Sequence, residues 1–320
     1  MVSDSAPQTA DALEYFDRLT AERGLAIRRD AVLAPMTTLR VGGSADRLAE
    51  PRTRAELLAV LEAARRAGIA CLVIGNGSDL VVADAGVRGL VIRNRAREVA
   101  LDGDRLSADA GTPMALLVKR ATAAGLSGLE WGIAVPGTLG GAVWANAGAH
   151  GGEIRDRLAA VETWSPDSGI LATMTPAECA FGYRESRFKH DRLVVVGARL
   201  TLSADDPTAV GVRVDAFQAQ RAATQPLAEQ NAGSVFRNPE GDHAGRLIDA
   251  AGLKGLRVGT ASVSTRHANF IVTDRDGRAA DVRRLADLVR ATVRDASGIT
   301  LEYEIEFVGD WAADLTEGVS

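Results

Sequence analysis

The stretch WGIAVPGTLGGAVWANAGAHGG, residues 131–152, decides how the rest of the chain is interpreted. Glycine is its commonest residue, and His150 is its only ionisable side chain. Ordering glycine costs conformational entropy, so folded proteins concentrate it where the backbone approaches another group closely or takes a positive φ. Large apolar residues such as Trp131 and Trp144 argue against a solvated linker. The stretch therefore predicts either a buried, tightly turned loop without a ligand or a main-chain wall against a large, flat cofactor.

The composition of the 320-residue chain is typical of a globular protein with more than one domain. A net charge of −5 provides no basic surface, so we expect no nucleic-acid partner. The two cysteines and the four histidines are widely separated, so no metal site is predicted. No apolar run is long enough to span a membrane, and no secretory signal is visible. We therefore expect a cytoplasmic protein that binds no membrane.

Local patterns predict several elements along the chain. Residues 1–12 are expected to form a disordered tail. The capping box Thr53-x-x-Glu56 begins a helix that ends at Gly68, and an apolar strand follows at residues 70–74. A strand is also expected before the helix, at residues 45–50, and this strand–helix–strand unit predicts parallel pairing of its two strands. Thr112 is expected to cap a further helix. Strict alternation over ITLEYEIEFVG, residues 299–309, predicts a long closing strand.

The turn after the apolar strand is a candidate anion site. It reads Gly75-Asn76-Gly77-Ser78-Asp79, and successive backbone N–H groups in such a turn suit a pyrophosphate. An ordinary Gly-Asn-Gly turn without a ligand explains the same sequence equally well. No helix follows the turn, so it is not the dinucleotide-binding G-x-G-x-x-G motif.

Three polar sites are candidates for chemistry, although each also has an ordinary structural explanation. Arg184 lies in a loop between Tyr183 and Glu185, where arginine is usually a surface residue. Ser234 follows a glycine in NAGSVFRNP, where serine is usually structural. The closing strand presents three glutamates on one face, and periodicity does not choose among them. These are Glu302, Glu304 and Glu306.

At this point the chain resembles the UDP-N-acetylenolpyruvoylglucosamine reductase family. Nine motifs carry the resemblance, in the family's order, over roughly residues 35–310. They are TTLRVGG, VIGNGSDLVV, GIAVPGTLGGAVWANAGAHGGEI, YRESRFK, TQP, NAGSVFRNP, AGRLIDAAGLKG, SVSTRHANFIV and LEYEIEFVG.

The resemblance implies an α+β fold. A two-part FAD-binding module of the vanillyl-alcohol-oxidase type would precede a C-terminal α+β substrate domain. The expected boundaries are 13–95 for the first FAD-binding subdomain, 96–206 for the second, 207–300 for the substrate domain and 301–320 for a closing strand and tail.

The resemblance also implies a chemistry and its residues. NADPH would reduce noncovalently bound FAD, which would reduce UDP-N-acetylglucosamine enolpyruvate to UDP-N-acetylmuramate for peptidoglycan. By motif match, Arg184 would bind the substrate carboxylate and stabilise the enolate-like intermediate, Ser234 would donate a proton, and Glu304 would act as an acid or orient the substrate. Arg237 and Asn238 are expected substrate contacts, and we expect a monomer. The expected FAD contacts are Gly75, Asn76, Gly77, Ser78, Asp79, Leu80, Ile133, Pro136, Gly137, Thr138, Gly140, Gly141, Asn146, Ala147 and Gly148.

One departure from the family's longer type and two alternative functions remain. Between Lys189 and Asn231 the chain has no tyrosine or tryptophan, so it resembles the shorter type that lacks a tyrosine-bearing loop over the nucleotide. The first alternative is another FAD-dependent oxidase or dehydrogenase acting on an alcohol or sugar. The second is a nucleotide-sugar-binding protein without catalysis. Gly75–Leu80 contains no histidine for covalent flavin attachment, which favours noncovalent FAD.

Overall fold

The computed structural model describes residues 9–312. Within this range the α-helices are α1 (Ala10–Ala21), α2 (Arg54–Ala67), α3 (Met114–Ala123), α4 (Leu139–Ala145), α5 (Pro207–Thr224), α6 (Ala244–Ala250) and α7 (Ala279–Ser297). None of these helices has both the length and the apolar character to cross a bilayer.

The strands of the described range are short, and most belong to antiparallel sheets. They are β1 (Ile27–Val32), β2 (Ser44–Ala49), β3 (Cys71–Ile74), β4 (Leu80–Val82), β5 (Val87–Arg93), β6 (Val99–Asp102), β7 (Arg105–Asp109), β8 (Leu126–Ser127), β9 (Gly148–Ala149), β10 (Gly152–Glu153), β11 (Leu158–Trp164), β12 (Leu171–Met174), β13 (Val194–Thr201), β14 (Ser203–Ala204), β15 (Gln230–Ser234), β16 (Arg257–Val258), β17 (Ala261–Val263), β18 (Phe270–Thr273) and β19 (Glu306–Val308).

The chain divides into two compact units. The first contains residues up to 29, 47–76 and 89–221, and the second contains 30–46, 77–88 and the residues from 222 onward. This division differs from the boundaries expected from sequence. Most of α5 groups with the first unit because its Arg213 binds the buried Glu130 at 2.9 Å.

The first unit contains two hydrophobic cores. One lies among α1, α2 and β5, with Phe16, Leu57 and Leu90 at its centre. The other packs α3 and α4 against the antiparallel sheet β12-β11-β13-β7-β6, with Leu117 and Val143 buried. Two cores within one unit agree with a module built in two parts.

The cap of α2 matches the sequence, but the strand pairing and the α3 cap do not. The Thr53 hydroxyl accepts from the Glu56 amide at 3.2 Å, and Gly68 ends the helix at φ +66°. The prediction that β2 and β3 pair with each other is wrong, because the sheet order β1-β2-β5-β3 places β5 between them. The prediction that Thr112 caps α3 is also wrong. Pro113 is the N-cap, and the Thr112 hydroxyl is buried without a hydrogen-bond partner among the described residues.

The first predicted element, the disordered tail, is partly helical. Thr9 caps α1, which begins at Ala10, so the end of the predicted tail is ordered. The rest of that tail, residues 1–8, lies outside the described residues.

The second unit packs α6 and α7 against the antiparallel sheet β15-β18-β17-β16. The inward face of α7 carries Val282, Leu285, Val289 and Val293, all buried, as the sequence periodicity predicts. Strand β4 pairs in parallel with β19, so residues 77–88 belong to this unit.

The predicted closing strand is much shorter than expected. Only Glu306–Val308 forms a regular strand, and before it Glu302, Glu304 and Ile305 hydrogen-bond irregularly to the chain that follows Ser234. The alternation still describes burial, since Leu301 and Ile305 are buried and Glu302 is exposed. The pattern identified the buried face, because burial depends on side-chain direction and not on a continuous hydrogen-bond ladder.

The N-terminus of α7 depends on a carboxylate from a distant loop. Its N-cap residue, Arg278, makes no side-chain cap, and the Asp84 carboxylate accepts from the amides of Ala279 and Ala280 at 2.9 and 3.1 Å. A carboxylate at a helix N-terminus satisfies free N–H groups and offsets the helix dipole. Asp84 therefore supplies the cap that the local sequence lacks.

We expect Asp84→Ala to lower the free energy of unfolding by about 1–2 kcal/mol, because two amides of α7 lose their acceptor. Urea denaturation measures the change. The matched control is Asp295→Ala, which removes an exposed carboxylate at the other end of α7 and should change stability by less than about 0.5 kcal/mol. Equal losses in the two variants would contradict the capping role.

Candidate active site

The glycine-rich stretch 131–152 is more regular than its composition predicts. It contains the seven-residue helix α4 and the hairpin of β9 and β10. The sequence did not predict α4, because Gly140 and Gly141 are poor helix formers. Tertiary contacts compensate, since the Gly140 amide donates to the carbonyl of Ala110 at 2.8 Å.

Packing within the protein explains several glycines of the stretch. A Cβ on Gly140 would lie 2.9 Å from the Cβ of Ala110, and one on Gly152 would lie 2.4 Å from the Trp131 ring. Gly141 differs, because it is exposed and an added Cβ would meet nothing closer than 3.8 Å. The buried-loop interpretation therefore accounts for part of the stretch, and the open main chain at Gly141 is available to a ligand.

The first half of the predicted pyrophosphate turn lies against this stretch, within the first unit. The Asn76 side-chain amide donates to the carbonyl of Pro136 at 2.9 Å. A Cβ on Gly75 would lie 2.3 Å from the hydroxyl of Thr138, so glycine is needed there. Two segments that the sequence assigned separately to FAD are thus neighbours in space.

The second half of the turn is held within the second unit. The Thr38 amide donates to the carbonyl of Gly77 at 3.0 Å, and its hydroxyl contacts the carbonyl of Ser78 at 3.4 Å. The carbonyl of Asp79 accepts from the Glu306 amide at 2.8 Å, and Leu80 begins β4. Sequence reasoning included Thr38 in a family motif but gave it no role.

The other expected FAD contacts in the stretch differ in burial: Thr138 and Asn146 are buried, and Pro136 is exposed. Ile133, Gly137, Ala147 and Gly148 are half-buried.

Arg184 occupies a strained turn, and its side chain contacts the glycine-rich stretch 131–152. Gly182 and Glu185 exchange backbone hydrogen bonds of 3.0 and 3.2 Å across the turn, and Arg184 has φ +53°. Its guanidinium donates to the carbonyl of Gly148 at 2.8 Å and lies 5.2 Å from the Tyr183 ring centroid. A non-glycine residue in the left-handed region is uncommon and marks a conformation fixed by its surroundings.

Asn146 joins the Arg184 turn to the end of α4. It is fully buried, ends α4 in the left-handed region at φ +43°, and donates through its amide nitrogen to Gly182 O at 2.7 Å. The same nitrogen donates to the Glu153 carboxylate at 3.0 Å. Both side-chain N–H groups are therefore engaged within the protein.

Ser234 and Glu304 lie on neighbouring main-chain segments of the second unit. Ser234 ends β15, pairs with Phe270 on β18, and follows Gly233 at φ +77°. The Glu304 amide donates to the carbonyl of Val235 at 2.9 Å. The sequence predicted both residues from separate motifs, and the structure brings them together.

The main chain distinguishes Glu304 from the other two glutamates. The carbonyl of Glu302 accepts from the Arg237 amide at 2.8 Å, and its exposed carboxylate lies 3.8 Å from the Arg237 guanidinium. Glu306 belongs to β19 beside β4. Glu304 is therefore the glutamate whose backbone bonds to the residue directly after Ser234.

Tyr303 lies between Glu302 and Glu304 in sequence, but its hydroxyl hydrogen-bonds to Asp287. Burial and a hydrogen bond to the Asp287 carboxylate raise the pKa of Tyr303, so its phenol stays protonated. Arg237 and Asn238, the expected substrate contacts, lie three and four residues after Ser234. The Asn238 side-chain oxygen accepts from the Ala244 amide at 3.1 Å, at the start of α6.

The described residues contain two groups of candidate side chains and no metal centre. Arg184 belongs to the first unit, whereas Ser234 and Glu304 belong to the second. No cluster of His, Cys, Asp and Glu between residues 9 and 312 is suited to hold a metal ion.

Comparison with known families places an FAD-binding domain ahead of a C-terminal domain. Residues 45–174 match the "FAD binding domain" family, and residues 225–308 match the family described as "UDP-N-acetylenolpyruvoylglucosamine reductase, C-terminal domain". The predicted α+β fold class is confirmed.

Relatives of similar length extend the match over nearly the whole chain. The UDP-N-acetylenolpyruvoylglucosamine reductase of Synechococcus sp. (strain RCC307) is 43% identical over 90% of this chain and 96% of its own. The Moorella thermoacetica enzyme of the same name is 45% identical over 87% of this chain and 92% of its own. The crystal structure of the reductase (MurB) from Thermus caldophilus superposes with a TM-score of 0.76 at 38% identity, covering 88% of this chain and 99% of that one. The chain belongs to the UDP-N-acetylenolpyruvoylglucosamine reductase family.

Proposed function

We propose that this chain is a reductase that uses NADPH and noncovalent FAD to convert UDP-N-acetylglucosamine enolpyruvate to UDP-N-acetylmuramate. The observation that carries the proposal is that the main chain of Glu304 lies against the residue directly after Ser234. Two residues from distant motifs meet through the hydrogen bond between the Glu304 amide and the carbonyl of Val235. Membership of a reductase family supplies the reaction class.

The residues of the first unit fit a flavin nucleotide. Pro136 and Gly141 are exposed, and at Gly141 the exposed surface is main chain, which a large flat ligand can approach closely. The buried Thr112 hydroxyl has no partner among the described residues and lies in the segment that bridges to Thr138. Gly75 and Asn76 bring a further run of backbone amides to this surface.

The proposed reaction adds a hydride and a proton across an enol ether double bond. FAD held by residues 132–148 and by Gly75 and Asn76 would supply the hydride, obtained from NADPH, that adds to the methylene carbon of the substrate. The neighbouring carbon then carries negative charge that is shared with its carboxylate. A proton added to that carbon completes the lactyl ether, so one hydride and one proton account for the product.

In this scheme the chain's own residues stabilise the negative charge that develops on the substrate and supply the proton. Ser234 donates the proton from its hydroxyl, which is a very weak acid and needs neighbours that stabilise the alkoxide left behind. Glu304, whose amide bonds to the carbonyl of the residue after Ser234, acts as a protonated acid or orients the substrate. Arg184 binds the substrate carboxylate and stabilises the developing charge, as a guanidinium does well through two parallel N–H groups.

The cofactor is the first part of the proposal to test. We expect the purified protein to be yellow and to release all of its flavin on acid precipitation, because the FAD is held by noncovalent contacts alone. Anaerobic NADPH should then bleach the bound flavin. A colourless protein that FAD cannot reconstitute would refute every flavin-dependent function. Flavin that stays with the acid pellet would refute noncovalent binding.

A further inference from the structure

The segment that carries Ser234 is held by a buried asparagine. Asn269 is only 4% exposed, in the loop that precedes β18. Its side-chain oxygen accepts from the Phe236 amide at 3.0 Å, and its side-chain nitrogen donates to the Phe236 carbonyl at 2.8 Å. Its own carbonyl accepts from the Val235 amide at 2.8 Å. One residue therefore pairs with both residues that follow Ser234.

This arrangement extends the sheet where regular pairing stops. Ser234 is the last residue of β15 and pairs with Phe270, next to Asn269 in the chain. Beyond Ser234, the Asn269 amide imitates a backbone peptide, because it offers one donor and one acceptor to Phe236.

The same pairing also reaches Glu304. The Val235 amide donates to the carbonyl of Asn269 at 2.8 Å, and the Val235 carbonyl accepts from the Glu304 amide at 2.9 Å. Phe236 forms an isolated antiparallel bridge with Tyr303, the residue before Glu304. Displacing the Val235–Phe236 segment would therefore move both candidate catalytic residues.

We propose that Asn269 is a positioning residue, which sets the placement of Ser234 relative to Glu304 through the Val235–Phe236 backbone. This inference rests on the proposed function. Asn269 contacts the main chain at a distance of 33 positions in sequence and needs no contact with substrate or FAD. Its substitution should affect the proton-transfer half-reaction and leave flavin reduction by NADPH unchanged.

The test is a double-mutant cycle in the reoxidation half-reaction. Asn269→Ala should slow anaerobic reoxidation of the reduced enzyme by UDP-N-acetylglucosamine enolpyruvate about 10- to 100-fold, as expected for a misplaced catalytic group. In a Ser234→Ala background the same change should alter the remaining rate by less than about 2-fold, because its target is gone. A similar loss in both backgrounds would overturn the positioning role.

Two further variants separate positioning from loss of stability. Asn269→Asp keeps the acceptor for the Phe236 amide and loses the donor, so its reoxidation rate should fall between those of the wild type and Asn269→Ala. If Asn269→Ala does not fold, Asn269→Asp takes its place in the test. Val263→Ala creates a cavity in β17 of the same sheet without removing a hydrogen bond to Phe236, and should leave reoxidation near the wild-type rate.

Failure of the proposed function would look different. If the substrate cannot reoxidise the wild-type enzyme, the reductase proposal falls and the role of Asn269 falls with it. If the wild type is reoxidised and Asn269→Ala, folded and carrying flavin, is reoxidised equally fast, only the positioning role is overturned.

Discussion

Ser234→Ala should leave flavin reduction by NADPH near the wild-type rate and slow reoxidation by the enolpyruvate substrate about 10²- to 10⁴-fold. The variant removes the proposed proton donor and nothing that hydride transfer from NADPH requires. Ser234 pairs through its main chain with Phe270, and alanine keeps that pairing, so the fold should be unchanged. Stopped-flow absorbance of the flavin measures the two half-reactions separately.

The control for this variant is Ser262→Ala. Ser262 lies on β17, which β18 separates from β15 in the same sheet, and its substitution should leave both half-reactions near their wild-type rates. Equal slowing of reduction and reoxidation in Ser234→Ala would contradict the proton-donor role.

Arg184→Ala should weaken substrate binding and slow reoxidation about 10²- to 10³-fold, the usual effect of removing a group that stabilises developing negative charge. Arg184→Lys should recover only part of the loss, since an ammonium keeps the charge but cannot reproduce the planar pair of donors. The rigid turn between Gly182 and Glu185 fixes the main chain in either variant. Reoxidation rates over a range of substrate concentrations separate binding from the chemical step.

Arg187→Ala provides the matched control for Arg184. Arg187 is three residues away and forms an exposed ion pair with Asp191. Its removal should change reoxidation by less than about 3-fold, because exposed ion pairs contribute little. Comparable losses at the two arginines would indicate a general electrostatic effect on the loop and would contradict a specific role for Arg184.

Sequence patterns predicted side-chain environments better than they predicted backbone pairing. The cap of α2 and the buried face of α7 follow from local rules and are present. The short closing strand and the place of β5 between β2 and β3 depend on hydrogen bonds between distant segments. No local period contains that information, which explains why both predictions were wrong.

The glycine-rich stretch shows a different limit. The sequence alone does not distinguish two kinds of glycine. At Gly152 a larger residue would clash with Trp131, whereas Gly141 is open to a ligand. Asn269 is inconspicuous in sequence for a related reason. Its role comes from main-chain contacts to residues 235 and 236, and only the fold brings these segments together.

The most direct test of the central claim is anaerobic reoxidation of the NADPH-reduced enzyme. Addition of UDP-N-acetylglucosamine enolpyruvate, with oxygen excluded, should restore the oxidised flavin spectrum and form one UDP-N-acetylmuramate per flavin. A reduced enzyme that this substrate leaves bleached, and that only oxygen reoxidises, would contradict the reductase proposal and favour an oxidase.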